Sequence, residues 1–448
     1  MMEAGNLLSY ITEKRDKGII IWLCNIGAEK YWNVVSSGMS DKYEDAIVNR
    51  IEEMNVLICR KQDILILREK PDAAYLEKLE EIGVDIPNIL VPVNLDQTTP
   101  ISELVLKDDK LLSQLREIAG SNNEVYFAPY AVTCLEEQIA ERCNLRLIGS
   151  SSKVNAIIND KIFNRRIAEE LNFPVCEGRV CSSIEEIRQE FHRLTGSLQF
   201  GKVIIKEPFG ASGKGLYIIE DEARLEATLR IIGRLARKNA EAKWLVEGWY
   251  EKKVDINYQI YIAADGSTSV FSIKQQVLRG TVYIGSKIPP ELTEAEIQAI
   301  KKCGEQIGNY LYGIGYTGVA GVDSFITVND ILIPIIEING RFTLSTYISF
   351  LDRITGGSKI ITRYFRLSTK SILGYRRLLS MLEEKGIDYS TEKKEGVIIY
   401  TAGTFTSGFE DGNGCCAGRI FALIASKEEE KMNDYVTKLE EIIESINF

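Results

Sequence analysis

From Lys202 to Gly215 the chain reads Lys-Val-Ile-Ile-Lys-Glu-Pro-Phe-Gly-Ala-Ser-Gly-Lys-Gly. A short β-branched run ends on Lys206 and opens into a glycine-spaced loop. The run reads as a buried strand, so its terminal lysine is held in one place. Glycines at 210, 213 and 215 remove the Cβ atoms that keep a ligand away from backbone N–H groups, and they permit positive φ. Ser212 and Lys214 add a hydroxyl and a second charge. A P-loop needs Ser or Thr directly after its Gly-Lys to reach magnesium, and Gly215 stands there instead. On these residues alone, a phosphate-covering loop and a plain surface hairpin both remain open.

Composition removes several classes of partner. A formal charge of −10 and a pI near 5.1 argue against a general nucleic-acid binder, which needs a basic face. The stretch Met1–Lys14 carries charges and no apolar leader, and Ile19–Leu23 is too short to span a bilayer, so a cytoplasmic protein without a membrane partner is expected. The 9 cysteines show no C-x-x-C pairs. Cys415 and Cys416 are adjacent and Cys176 and Cys181 lie five apart, a pattern of reduced thiols rather than of a disulfide or zinc framework. The single histidine, His192, falls in the amphipathic run Ile184–Leu194 and reads as a helix-surface residue. That reading argues against Ser-His-Asp chemistry and multi-histidine metal sites.

The first third alternates apolar runs with helical text. Gly18–Cys24, Val56–Cys59, Asp63–Leu67 and Ile89–Val93 read as strands, and Ala73–Ile82 as an amphipathic helix. Such alternation predicts a layered α/β domain with a mostly parallel sheet, ending near Leu145–Gly149. Helical spacing of Ile157, Phe163, Ile167 and Leu171 follows, with Asp160-Lys161 on the way in. Further on come a helix at Glu220–Lys238, a strand at Lys243–Glu247, and β-rich runs at Asn257–Ala263 and Ser269–Val277. The helix Thr293–Leu311 opens with a Thr-x-x-Glu capping box. Two strands, Gly318–Ile326 and Ile331–Ile338, are joined by a hairpin at Asn329-Asp330. The last segment holds strands at Gly396–Tyr400 and Arg419–Ile424 and a charged terminal helix.

Two acidic positions interrupt those apolar strands. Asp323 lies in Gly-Val-Asp-Ser-Phe, and Glu337 and Asn339 lie in Ile-Ile-Glu-Ile-Asn. Strand residues two apart share a face, so Glu337 and Asn339 point the same way, and the hairpin brings Asp323 opposite them. Unpaired buried carboxylates are costly. Three hard oxygen donors on a rigid face suit magnesium, with its other positions left to phosphate oxygens and water. Arg341, two residues beyond Asn339, is a cationic partner for phosphate or carboxylate on the same side.

In chain order the signals are Asp160-Lys161, Lys206 with its loop, Glu247-Gly-Trp249-Tyr250, Asp255, Asp323 and Glu337-x-Asn339-x-Arg341. From about Ser150 to Phe350 this series resembles the ATP-grasp superfamily of ligases. The resemblance implies an N-terminal Rossmann-like pre-ATP-grasp α/β domain at 1–149 and a two-lobed ATP-grasp core at 150–370, α+β in character. It places the lid-bearing subdomain at about 175–250 and a C-terminal α/β extension at 371–448. It further implies that Lys161 and Lys206 hold the ATP phosphates and that Gly210, Ser212, Gly213 and Lys214 belong to the lid. Glu247, Trp249 and Tyr250 match the adenine-reading hinge, and Asp255 stands where a ribose-binding carboxylate, more often Glu, is usual. Asp323, Glu337 and Asn339 match the ligands of Mg2+ or Mn2+. Lys274, Arg279 and Arg341 are the catalytic candidates for contacting the γ-phosphate or acyl phosphate, although solvated strand charges explain Lys274 and Arg279 equally well.

The chemistry implied is amide formation between a small carboxylate, such as an amino acid or short peptide, and an amine acceptor, through an acyl phosphate, with homodimers common in the family. The segment from Ser371, with Gly418-Arg419-Ile-Phe, is similar to the extension of peptide-ligase types. A purine-pathway ligase and an ATP-grasp kinase acting on a small alcohol use the same nucleotide site and are the alternatives. A silent nucleotide-binding protein fits less well, because the lysines and acids are all present.

Overall fold

The computed structural model describes residues 18–32, 42–94, 96–121, 124–210, 215–237, 241–406, 408–410 and 414–447. Met1–Lys14, together with Ser212, Gly213 and Lys214 of the glycine loop, lies outside them. The first unit contains β1 (Ile19–Leu23), α1 (Lys42–Asn49), β2 (Ile64–Ile66), α2 (Ala73–Glu81) and β3 (Asn88–Leu90). It continues with α3 (Ile101–Leu106), α4 (Asp109–Ala119), β4 (Val125–Pro129), α5 (Cys134–Cys143) and β5 (Arg146–Leu147). Its five strands form a parallel sheet in the order β3-β2-β1-β4-β5. A parallel sheet must be covered on both faces. Ile21 and Leu23 pack against α3, α4 and α5 on one side, while Ile20 and Trp22 turn to the other.

Val56–Cys59, expected as a strand, instead closes a 3-10 helix spanning Arg50–Leu57. Every residue of that helix is buried, and a short apolar run buried on all sides carries no periodicity that distinguishes strand from helix. Asn55 carbonyl accepts from both Ile58 and Cys59 N–H, at 3.1 and 3.3 Å, which bends the chain away from an extended path.

Next come α6 (Ser152–Ile158) and α7 (Lys161–Glu170). Asp160 separates them, its side chain accepting from Ile162 N–H as an N-cap. A four-stranded antiparallel sheet in the order β6-β9-β7-β8 follows, built from β6 (Gly178–Cys181), β7 (Val203–Lys206), β8 (Leu216–Ile219) and β9 (Trp244–Gly248). Helices α8 (Ile184–His192) and α9 (Glu222–Ala236) close its core. His192 ends α8 and is exposed, as its place in the amphipathic run required.

The third layer is a nine-stranded sheet in the order β14-β13-β10-β11-β12-β15-β18-β16, with β17 (Phe409–Glu410) on β18. Its members are β10 (Lys252–Ile262), β11 (Thr268–Arg279), β12 (Val282–Ile288), β13 (Gly318–Thr327), β14 (Leu332–Asn339), β15 (Lys359–Thr369), β16 (Gly396–Ile399) and β18 (Cys416–Ser426). Between them run α10 (Glu294–Gly313), α11 (Leu344–Ile348), α12 (Tyr375–Glu384) and the terminal α13 (Glu429–Ile446). The capping box expected at Thr293 and Glu296 is formed. One face of β10 and β13 buries Ile256, Tyr258, Ile260 and Val322 with Ile300 and Ile307 of α10. The other face is the polar one.

The first and last parts of the chain share one core, in which Trp22, Tyr75 and Leu79 join Tyr375, Tyr400, Phe421 and Leu439. Polar contacts reinforce the join. Glu53 pairs with Arg50 at 2.8 Å and accepts from the N–H groups of Ala402 and Gly403, each at 2.8 Å. A Cβ on Gly403 would lie 2.2 Å from Arg50 Nη2, so only glycine admits the guanidinium. Among the described residues no helix is long and apolar enough to cross a membrane, and the nine cysteines form no disulfide.

Glu53→Ala would leave a buried guanidinium and two buried N–H groups without their shared acceptor. It is expected to cost about 3 to 5 kcal/mol, read as a lowered midpoint in denaturant unfolding. A midpoint unchanged from the parent would show that the join does not depend on this carboxylate.

Candidate active site

The hairpin of β13 and β14 sets Asp323 directly opposite Glu337, and Gly321 opposite Asn339. The same row continues across the sheet, because Asn257 on β10 pairs with Asp323 on one side and Lys274 on β11 on the other. Directly opposed residues share a face, so Lys274, Asn257, Asp323 and Glu337 form one polar line. Gly321 is small for a reason. A Cβ there would stand 2.7 Å from Thr343 Cγ2 and 2.9 Å from Gln259 Nε2.

Asp323 Oδ1 accepts from Asn257 Nδ2 at 2.8 Å and Gln276 Nε2 at 2.7 Å. Its Oδ2 faces Asn339 Nδ2 at 3.3 Å. Burial foremost, then the neighbouring Glu337 charge, pushes the Asp323 carboxyl up to about 6, against the pull of the two amides. Glu337 is compensated differently, by Lys161 Nζ at 2.8 Å from its Oε1. The same ammonium donates to Gly210 carbonyl at 2.8 Å, so Lys161 joins the acidic hairpin to the first residue of the glycine loop. Lys161 N–H also donates to Pro208 carbonyl at 2.9 Å.

Lys206 ends β7 and pairs with Glu247 Oε2 at 2.6 Å. Burial alone would lower its pKa, but Glu247 leads a set of neighbours that outweighs burial, and the pKa is raised. The other oxygen of Glu247 takes Arg165 Nη1 at 2.9 Å. Beside this pair, Cys176, Phe325 and Ile333 form a small apolar cluster with Tyr250 and Ile336 packed on it. Trp249 N–H donates to Lys202 carbonyl at 2.9 Å, which fixes the strand exit. Lys252 Nζ lies 5.5 Å from the Trp249 ring centroid and 5.1 Å from that of Phe325. It also pairs with Asp255 Oδ1 at 2.6 Å.

The structure therefore brings Lys161, Lys206, Gly210, Glu247, Asp323, Glu337 and Asn339 to the region between the four-stranded and the nine-stranded sheets. Trp249, Tyr250 and Asp255 lie along its apolar end. Arg341 is buried and turned toward the first unit, donating from Nη1 to Tyr130 hydroxyl at 2.8 Å with its guanidinium over the Tyr130 ring. Lys274 is fully buried rather than solvated. Its Nζ lies 2.6 Å from the hydroxyls of both Ser272 and Ser349, and burial lowers its pKa to about 7. Arg279 is not brought to the group. It stands an odd number of residues from Lys274 on the same strand, so it points to the other face, and it is exposed near the tip of the β11–β12 hairpin.

Sequence reasoning missed Arg165, Cys176, Lys252, Asn257, Gln276 and Phe325. A signal existed for two of them. Asn257 and Gln259 alternate with apolar neighbours on β10, and Gln276 follows Lys274 by two, which is the period of a polar face.

The carboxylates and amide at 323, 337 and 339 are hard oxygen donors, a set that fits magnesium while leaving positions for other oxygens. Among the described residues no cluster of three or more acidic, His or Cys side chains forms a complete metal cage.

Comparison with known proteins matches two family models, the Pre ATP-grasp domain at residues 51–145 and the ATP-grasp domain at residues 166–343. The chain is 28% identical over 337 residues to the butirosin acyl-carrier protein–L-glutamate ligase of Niallia circulans, covering 73% of each protein. It is 28% identical over 229 residues to a formate-dependent phosphoribosylglycinamide formyltransferase of a Nitratiruptor species, covering 50% of this chain and 55% of that one. Among solved structures, an ADP complex of N5-carboxyaminoimidazole ribonucleotide synthetase superposes with a TM-score of 0.56 at 14% identity, over 95% of this chain and 96% of that one. The biotin carboxylase domain of 2-oxoglutarate carboxylase from Hydrogenobacter thermophilus gives 0.58 at 15%, over 95% and 89%. These two likenesses show the fold.

A lysine whose folded pKa lies near 7 stays neutral in the folded chain while the unfolded chain is still protonated up to about 10.5. The unfolded state thus binds more protons between those values, and stability rises with pH across that window and levels off below it. Relative to Lys274→Met, the parent should gain about 1.4 kcal/mol per pH unit there, measured by denaturant unfolding across the same window. Parallel pH profiles would rule out a neutral Lys274.

Proposed function

The chain belongs to the ATP-grasp superfamily of ligases, and from that premise we propose that it joins a small carboxylate to an amine in an ATP-dependent, ADP-forming reaction. The acid is an amino acid, a short peptide or a similar small acid; the Niallia circulans relative, whose name pairs L-glutamate with an acyl-carrier protein, supports an amino acid. The observation that carries the reading is the convergence of Lys161 and Lys206 with Asp323 and Glu337 on one cleft.

In the proposed reaction an oxygen of the substrate carboxylate attacks the γ-phosphorus of ATP, and ADP leaves. The amine then attacks the carbonyl carbon of the acyl phosphate, and phosphate leaves with the C–N bond formed. Lys161 and Lys206 hold the phosphate chain as fixed charges, neutralising the oxygens of a loose transition state. For this, each must exchange part of its contact with Glu337 or Glu247 for phosphate. Arg165 keeps Glu247 compensated when Lys206 turns away. Asp323, Glu337 and Asn339 would hold magnesium, which when bound shields charge between the terminal phosphates. The amides of Asn257 and Gln276 keep the Asp323 carboxylate aimed toward Glu337. Trp249, Tyr250, Cys176 and Phe325 offer the flat apolar surface that a purine ring needs, and Asp255 and Lys252 lie where its ribose would follow. The loop after Gly210 is assigned to closure over the phosphates, excluding water that would hydrolyse the activated acid. Arg341, held by Tyr130, is assigned to the oxyanion of the second step.

Glu337→Gln removes one charge with little change of shape and is expected to lower magnesium-dependent ADP release by about a hundredfold or more, with circular dichroism unchanged. Parent-like turnover would sink the metal assignment. Lys206→Met should weaken ATP binding by about tenfold or more, measured by calorimetry. The ligase reading itself is tested by a screen of acids and amines for phosphate release. Turnover requiring both partners supports it, and turnover with a hydroxyl compound alone indicates a kinase.

A further inference from the structure

Arg366 on β15 and Arg419 on β18 are direct cross-strand partners. Like charges at opposed positions destabilise an antiparallel pair, so the sheet carries this juxtaposition at a cost. Arg419 has a side chain only 12% exposed and pairs through Nη2 with Glu44 of α1. Its guanidinium lies 5.1 Å from the Tyr364 ring centroid. Its Nε is buried and donates to nothing among the described residues. Arg366 is exposed, and its guanidinium forms no ion pair among them. Among the described residues Glu44 is therefore the carboxylate paired with Arg419, Arg366 has none, and the buried Arg419 Nε–H is left over.

By strand alternation the pair lies on the face of β15 and β18 that also carries Tyr364 and Phe421. Thr362, Tyr364 and Arg366 alternate onto one side of β15. Thr362 hydroxyl accepts from Ser286 N–H at 2.9 Å. Ser286 is the β12 partner of Gln276, whose amide donates to Asp323. Arg366 is four residues further along β15 than Thr362, roughly 13 Å at the rise of a strand. Tyr364, Phe421 and Tyr400 form an aromatic wall beside it, with centroids 5.6 and 6.0 Å apart.

We propose that Arg366 and Arg419 form an oxyanion subsite that takes a carboxylate or phosphate group of a substrate at the end remote from its reacting atoms. The inference rests on the ligase reading for what reacts, and on the arginine pair for what binds. Guanidinium forks match such oxyanions bidentately, and an incoming anion would remove the repulsion between the two charges while engaging the buried Nε–H. The substrate class is then an extended, anionic molecule with a spacer of several atoms, and not a minimal amino acid such as glycine.

The test is calorimetric titration of the full chain with two probes, L-glutamate and inorganic phosphate, at low and high salt. At least one is expected to bind, more weakly at high salt, and Arg366→Gln should weaken it about tenfold. Arg419→Lys keeps the charge but lacks the Nε–H fork, and should also weaken binding; circular dichroism checks its fold. Binding of glutamate alone identifies a carboxylate site, and binding of phosphate alone a phosphate site. Absence of binding by both probes, or binding indifferent to Arg366, overturns the proposal. Arg366-dependent binding in a protein that releases no phosphate with any acid and amine would support the subsite and overturn the ligase reading instead.

Discussion

The antiparallel pairing of β13 with β14 is the constraint from which the rest of the cleft follows. It places two carboxylates, Asp323 and Glu337, at directly opposed positions, an arrangement that repels and must be compensated. The compensation comes from different parts of the chain. Amides from β10 and β11 approach Asp323, whereas Lys161 reaches Glu337 from the first turn of α7. Lys161 in turn holds the carbonyl of Gly210. A local electrostatic cost on one hairpin thus organises the large sheet, the helix beside it and the entry to the glycine loop.

A second pair of opposite charges, Lys206 with Glu247, lies within the four-stranded sheet and is backed by Arg165. Both lysines, Lys161 and Lys206, therefore have carboxylate partners. That arrangement avoids burying bare charge. Lys274 contrasts with them. Among the described residues it has hydroxyl partners and no carboxylate, so it favours the neutral amine and suits a structural position under α11 better than a phosphate contact.

Much of the fold was legible in the sequence because its segments carry clean periodicity. The apolar run at Ile19–Leu23, the capping box at Thr293 and the hairpin bearing Asp323 and Glu337 all formed as read. Val56–Cys59 did not, since a run buried on every side has no period to read. The site was legible where a charged residue interrupts an apolar strand, as at 323 and 337. The candidate site was not legible where it is built from neutral side chains such as Asn257, Gln276 and Phe325, which are common in any strand. Arg279 shows the opposite failure. Its charge drew attention, but its odd separation from Lys274 turns it to the other face of the sheet.

By itself the sequence determined the alternating α/β layout, the glycine-spaced loop after Lys206 and the spacing Glu337-x-Asn339-x-Arg341. These depend on neighbours within a few residues, where backbone geometry sets what faces what. Only the tertiary structure decided that Lys161 meets Glu337, that Arg341 turns to Tyr130, that Lys274 is buried and that Arg366 confronts Arg419. Each of those outcomes depends on register and packing between segments far apart in the chain, and local propensity carries no information about which distant partner a buried charge will find.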